Sequence, residues 1–178
     1  MARLVYGLNA SLDGYVDHDK FGPSPKLFRH FIEQSKHVRG SVYGRTMYGL
    51  MHYWDDDQPD WGDDEHEYAE AWRANPKWVV SRTLTPADLG PNATLISHDV
   101  EGFLRRLKAE HEGEIEIGGP LLASAVIEMG LIDEYQVYVH PVVLGEGKPF
   151  FLGTRPALRL KSSEQLDDNV IQLTYLPA

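Results

Sequence analysis

Apolar and polar positions along the chain alternate between two periods. Leu4 to Ala10 is almost continuously apolar and runs into Ser11-Leu12-Asp13-Gly14, which reads as a buried strand closed by a turn. From Pro25 to His37, Leu27, Phe28, Phe31 and Ile32 recur at helical spacing, with Ser24 or Pro25 as the start. Ser41 to Tyr43 is a short strand, followed by Gly44-Arg45-Thr46 and a helical turn to Met51. A helix is expected over Asp63 to Arg73, then strands at Lys77 to Ser81 and Ala93 to Ile96. Val100 to Glu110 is helical, Glu114 to Ile117 is a strand, and Leu121 to Met129 is a helix stopped by Gly130. Tyr135 to Leu144 is a long strand rich in β-branched and aromatic residues. Leu158 to Gln165 and Val170 to Tyr175 form a closing hairpin around Asp167-Asp168-Asn169.

Strands alternating with helices imply a mainly parallel sheet covered on both faces, and the final hairpin adds antiparallel strands. The expected fold is therefore α/β, a three-layer α/β/α arrangement with a mixed sheet of about eight strands. The 178 residues fit one domain spanning residues 1–178.

Composition narrows the chemistry. There are no cysteines, which excludes disulfides, thiolate metal sites and cysteine nucleophiles. A net charge of −10 disfavours nucleic acid and anionic membranes as partners. Much of the acid lies between Asp55 and Glu70, a run that reads as a solvated loop and helix face rather than a metal site. The first residues enter a strand directly, without the layout of a signal peptide, and no apolar stretch is of membrane-spanning length. A cytoplasmic protein is expected. No G-x-G-x-x-G fingerprint, P-loop, G-x-S-x-G elbow or H-E-x-x-H pattern occurs, and His30 and His37 read as surface or packing residues.

Four strand ends carry suggestive residues, and ligands of open α/β sheets collect at the carboxyl ends of strands. Gly118-Gly119-Pro120 would bring a bare backbone and a helix N-terminus to an anion, or would simply be a tight turn. Gly44-Arg45-Thr46 offers a guanidinium and a hydroxyl to phosphate; the alternative is a helix start with a solvent-facing arginine. Ser81-Arg82-Thr83 suits the extra phosphate of NADP, or is a plain loop. Leu8 to Gly14 offers backbone to a carboxamide and Asp13 at a pocket mouth, or is an Asp-Gly turn.

Together these residues resemble the dihydrofolate-reductase-like family that includes the C-terminal reductase domain of riboflavin biosynthesis. The strongest stretches are Glu116 to Leu121, Leu131 to Tyr135, and His140 to Phe151, in that order. The resemblance implies an NADPH-dependent reductase acting on a small heterocyclic, carbonyl or imine substrate. It implies a cis peptide at Gly118–Gly119, and a cofactor site made of Leu8, Asn9, Ala10, Gly44, Arg45, Thr46, Ser81, Arg82, Ile117, Gly118, Gly119, Pro120, Leu121 and Leu122. On the helix Pro25–His37 the related reductases carry a pterin-recognising acid; here the acid on offer is Glu33, which points away from folate. Asp13 is the candidate acid or substrate-positioning group, with water as a rival proton donor, and Tyr48, Tyr53 and Trp54 are candidates for a wall against the substrate, or for packing. No metal is expected. A homodimer is expected through Tyr135–Leu144 and Gly145–Phe151, whose apolar content exceeds what a sheet edge exposes. Two other readings stay open: a nucleotide- or flavin-binding module without turnover, and an interaction protein with a decayed site.

Overall fold

The computed structural model describes residues 1–178. Eight strands form one sheet: β1 (Arg3–Ser11), β2 (Ser41–Gly44), β3 (Lys77–Val80), β4 (Ala93–Ile96), β5 (Glu114–Gly118), β6 (Glu134–His140), β7 (Leu158–Gln165) and β8 (Ile171–Pro177). Their spatial order is β4-β3-β2-β5-β1-β6-β8-β7. From β4 to β6 every pairing is parallel; β8 joins β6, and β7 joins β8, antiparallel. Five helices accompany it: α1 (Pro25–His37), α2 (Arg45–Met51), α3 (Asp63–Ala74), α4 (Val100–Glu110) and α5 (Pro120–Glu128).

The sheet's two faces receive different residues because successive side chains of a strand point to opposite sides. On one face Leu4, Tyr6, Val42, Ile115, Ile117 and Tyr135 join Leu104 and Leu107 of α4 and Val126 of α5 in the main core. Two smaller clusters lie elsewhere: Leu27 with Tyr138, Leu166 and Val170, and Tyr43 with Tyr48, Trp72 and Val79. The stretch Leu131–Tyr135 is structural: Asp133 accepts hydrogen bonds from Leu4 N (2.8 Å) and Lys108 Nζ (2.6 Å), and buried Glu134 is held by Arg3 and Lys161. Ser24 caps α1, accepting from Leu27 N, and its hydroxyl donates to Asp167 in the β7–β8 turn.

Two expectations are corrected. The strand expected over Tyr135–Leu144 stops at His140, where Pro141 has no N–H to continue the ladder. That strand is also interior rather than an edge, since β1 and β8 flank β6, while Val143 beyond it is 70% exposed.

The approach to β2 turns on Gly40, at φ +147°, a region L side chains rarely adopt. A Cβ there would lie 2.6 Å from the Pro76 carbonyl oxygen and 2.7 Å from the Trp78 ring. Gly40→Ala therefore has both a strained backbone and an overlap with main chain, and it should lower the unfolding free energy by about 1–3 kcal/mol in urea denaturation. An unchanged midpoint would contradict this account.

Candidate functional site

Parallel strands put their carboxyl ends on one rim, so the turns after β2, β3 and β5 become neighbours although they are far apart in sequence. Arg45 Nη1 donates to Thr83 Oγ1 at 3.3 Å, joining the first two turns. Ser81 Oγ accepts from the N–H groups of Thr83 and Leu84, both at 3.1 Å. The Ser81 hydroxyl thus shapes its loop, and Thr83 is the residue of that loop in contact with Arg45. Arg82 is exposed, and neither Arg45 nor Arg82 pairs with a carboxylate, although the chain is strongly acidic.

The third turn is the start of α5. No side chain caps it, and Gly119 stands at the cap position with φ +95°. Every peptide bond is trans, Gly118–Gly119 included, so the expected cis bond is not formed. Gly119 takes a positive φ there, a backbone region that favours glycine. Gly118 has a packing reason of its own: a Cβ would overlap the Tyr43 ring. Gly44 lies against Leu122, which is buried, whereas Leu121 is 73% exposed at the rim. Ile117 belongs to the core, and Pro120 occupies the first turn of α5.

Behind this rim, on the face opposite the main core, lies a cavity of about 260 Å³ between the sheet and the helices α1, α2 and α3. Leu8 and Asn9 border it, while Ala10 is fully buried in the core. Asn9 Oδ1 is 2.7 Å from His140 Nε2, and burial lowers the pKa of that imidazole, so the neutral ring donates through Nε2–H. The Asn9 amide hydrogens have no partner within the protein.

The substrate residues inferred from sequence are sorted by this cavity. Trp54 lines it. Tyr48 does not; it is buried under α2, and its hydroxyl accepts from Gly90 N at 2.8 Å. Tyr53 is half exposed and accepts from Trp61 Nε1. Glu33 points to solvent, paired with Lys36 and Arg29, because it sits one residue away from the inward face that carries Phe31, Gln34 and Ser35.

The acid inside the cavity is Glu116, on β5. Burial raises its pKa above the usual carboxylate range. One oxygen accepts from Ser41 Oγ at 3.1 Å; the other has no donor from the protein. Sequence reading placed Glu116 in the recognition motif but gave it no role. The signal was present: an acidic residue in a strand flanked by parallel neighbours, where both faces are normally apolar. Phe28, Phe31, Met47, Met51 and Tyr68 form the remaining apolar walls.

Asp13 plays a different part from the one expected. Its carboxylate accepts from Leu144 N (3.1 Å), Gly145 N (2.7 Å) and Ser11 Oγ (2.7 Å). These bonds, the Ser11 hydroxyl foremost, lower its pKa to about 2. A carboxyl so acidic holds no proton to give at neutral pH; it ties the end of β1 to the loop after β6.

Comparison with known proteins places this geometry. The model of the RibD C-terminal domain matches residues 2–172. The uncharacterized protein YyaP of Bacillus subtilis (strain 168) is 30% identical over 183 residues, covering 97% of this chain and 94% of YyaP. A candidate riboflavin biosynthesis protein from Shewanella sp. PV-4 superposes with a TM-score of 0.75 at 25% identity, covering 100% of this chain and 99% of that one. Two more distant structures share the fold. One is the diaminohydroxyphosphoribosylaminopyrimidine deaminase/5-amino-6-(5-phosphoribosylamino)uracil reductase of Thermotoga maritima (TM-score 0.70, 15% identity), of which this chain covers 57% and which covers 99% of this chain. The other is dihydrofolate reductase from Enterococcus faecalis in complex with NADP(H) and RAB-propyl (TM-score 0.64, 15% identity, 98% and 96% covered).

The depressed pKa of Asp13 carries a sign. Its contribution to stability is complete above the unfolded value near 3.8 and is lost as the pH falls through about 2. An Asp13→Asn variant should be less stable than the parent at pH 7, and the two should converge as the pH is lowered from about 4 to about 2. Melting curves across that range check it; a gap that persists at the acid end would contradict the assignment.

Proposed function

The chain belongs to the RibD C-terminal domain family, and from that premise we propose that it is an NADPH-dependent reductase transferring a hydride to a small heterocyclic, carbonyl or imine substrate. The observation that carries this reading is the meeting of three turns on one rim beside an aromatic cavity, with Arg45 and Thr83 in contact and the α5 N-terminus uncapped.

The donor set fits a dinucleotide with several phosphates. Two arginines free of carboxylates, the hydroxyls of Thr46 and Thr83 and the first N–H groups of α5 are all donors, and the helix end adds its positive dipole. Arg45, Thr46 and the Gly119–Leu122 turn would hold the pyrophosphate. Arg82, on the loop shaped by Ser81, would meet the 2′-phosphate. Leu8 and Asn9, at the junction of rim and cavity, would hold the nicotinamide edge. When bound, NADPH supplies the hydride. The chain's own work is to orient the two reactants and to keep water from the apolar walls of the cavity. With Asp13 locked as a strong acid, the proton is drawn from water.

That same absence of a proton donor at the rim favours a second reading, a module that binds the nucleotide without turnover.

Two measurements decide. NADPH at about 100 times its Kd should stabilise the fold by about 2.7 kcal/mol, and NADH less at equal concentration. Arg45→Ala should raise the Kd for NADPH about ten-fold or more, and Arg82→Ala should narrow the preference for NADPH over NADH. No stabilisation by either nucleotide would end the reductase reading. Consumption of NADPH across a panel of pteridines, aminopyrimidines and quinones then separates reductase from module: tight binding with no turnover favours the module.

A further inference from the structure

The cavity has apolar walls and a polar floor. Phe28, Phe31, Met47, Met51, Trp54 and Tyr68 make the walls, and the sheet contributes Asn9, Glu116 and Gln136. No lysine, arginine or histidine lines it. On the covering helix α1, Arg29 is engaged with Asp64 and Glu67, and Lys36 with Glu33 and Glu67. Lys26, at the start of that helix, is unpaired but exposed and does not line the cavity.

The floor groups differ in spare capacity. The Gln136 amide nitrogen donates to Glu134 Oε1 at 2.9 Å, and its oxygen accepts from Gln34 Nε2 (3.1 Å) and Tyr138 OH (3.0 Å). It is saturated. Glu116 is not: Ser41 supplies its single protein hydrogen bond, leaving a carboxyl oxygen open in a site lined by carbon and sulfur. Glu116 is partly buried, and a ligand N–H would give its open oxygen the donor that the apolar walls cannot. Asn9 offers the complementary donor, since His140 occupies its oxygen and leaves its amide hydrogens.

Resting on the reductase reading above, we propose that the cavity takes an unphosphorylated, planar, neutral or cationic ring that presents N–H donors to Glu116. A phosphorylated substrate would bring negative charge beside a buried carboxyl with no cation to offset it. A cationic amidine favours the ionised form of Glu116, any carboxyl proton passing to solvent, and pairs with the carboxylate through parallel hydrogen bonds. This substrate class differs from the phosphoribosyl compound in the name of the Thermotoga maritima enzyme.

The test is calorimetric titration of the full chain, without cofactor, using three rings of one shape and different charge: 2-naphthamidine, 2-naphthamide and 2-naphthoate. The amidine should bind tightest and the carboxylate about ten-fold or more weaker. Glu116→Gln should cut amidine affinity about ten-fold and remove most of the discrimination against naphthoate. In the unmodified protein, dephosphorylated 5-amino-6-ribosylaminouracil should bind at least as tightly as its 5-phosphate. Naphthoate binding as well as naphthamidine, or a ten-fold gain from the phosphate, overturns the proposal, and both comparisons need no variant to fold. Because no arm contains NADPH, a failure here is distinct from a failure of the nucleotide to bind, which is what would sink the reductase reading.

Discussion

A carboxyl group on the central parallel strand β5 is the constraint around which one side of this molecule is arranged. Strands buried on both faces are ordinarily apolar throughout. β5 obeys that rule on the side of α4 and α5, where Ile115 and Ile117 enter the main core. On the other side Glu114 and Glu116 break it. Glu114 sits at the strand's start, where Arg3 reaches it, and water is near. Glu116 lies two residues deeper and is met only by Ser41. An ionisable group so placed must either be paired, be neutralised, or face a space that something else enters. Here α1, α2 and α3 stand off from the sheet and leave that space.

The rim obeys a different logic. Its residues come from turns, and their positions follow from topology: with β2 between β3 and β5, the loops that end these strands are neighbours by construction. Local details then serve the loops themselves. Ser81 spends its hydroxyl oxygen on two backbone N–H groups, Gly118 yields room to the Tyr43 ring, and Gly119 takes a backbone angle that bends the chain into α5. The side chains left outward, Arg45, Arg82, Thr46 and Thr83, are the ones with donors to spare. A motif read from sequence mixes both kinds of residue, and coordinates separate them.

Much of this was readable from the chain, for physical reasons that also explain the misses. α1 and β4 run between the residues that periodicity indicated, because their ends carry punctuation: Ser24-Pro25 opens α1, and Pro91-Asn92 precedes β4. β6 was overextended because Val142, Val143 and Leu144 look like strand, while the missing N–H of Pro141 decides the matter. The site was less legible. Which carboxyl faces inward depends on helical phase, and one residue separates Glu33, in solvent, from Gln34, in the cavity. Tyr48, Tyr53 and Trp54 are near one another in sequence, yet only the indole of Trp54 lines the cavity. Asp13 looked like an acid at a pocket mouth, but its partners are N–H groups of Leu144 and Gly145, some 130 residues downstream, and no local pattern announces them.

The two halves of the site also divide the electrostatics. At the rim, Arg45 and Arg82 stand without carboxylate partners in a chain of net charge −10. Beneath it the cavity holds a carboxyl and no cation. On the proposed reading an anion would be held at the strand ends and disfavoured in the space under α1. A two-substrate enzyme needs its reactants to enter adjacent places without exchanging them, and opposite charge in adjoining compartments does this with no moving part. The junction falls at Leu8 and Asn9, the last cavity residues of β1 before the strand reaches the rim. There a polyanion held from one side and a ring held from the other would present their reacting atoms to each other.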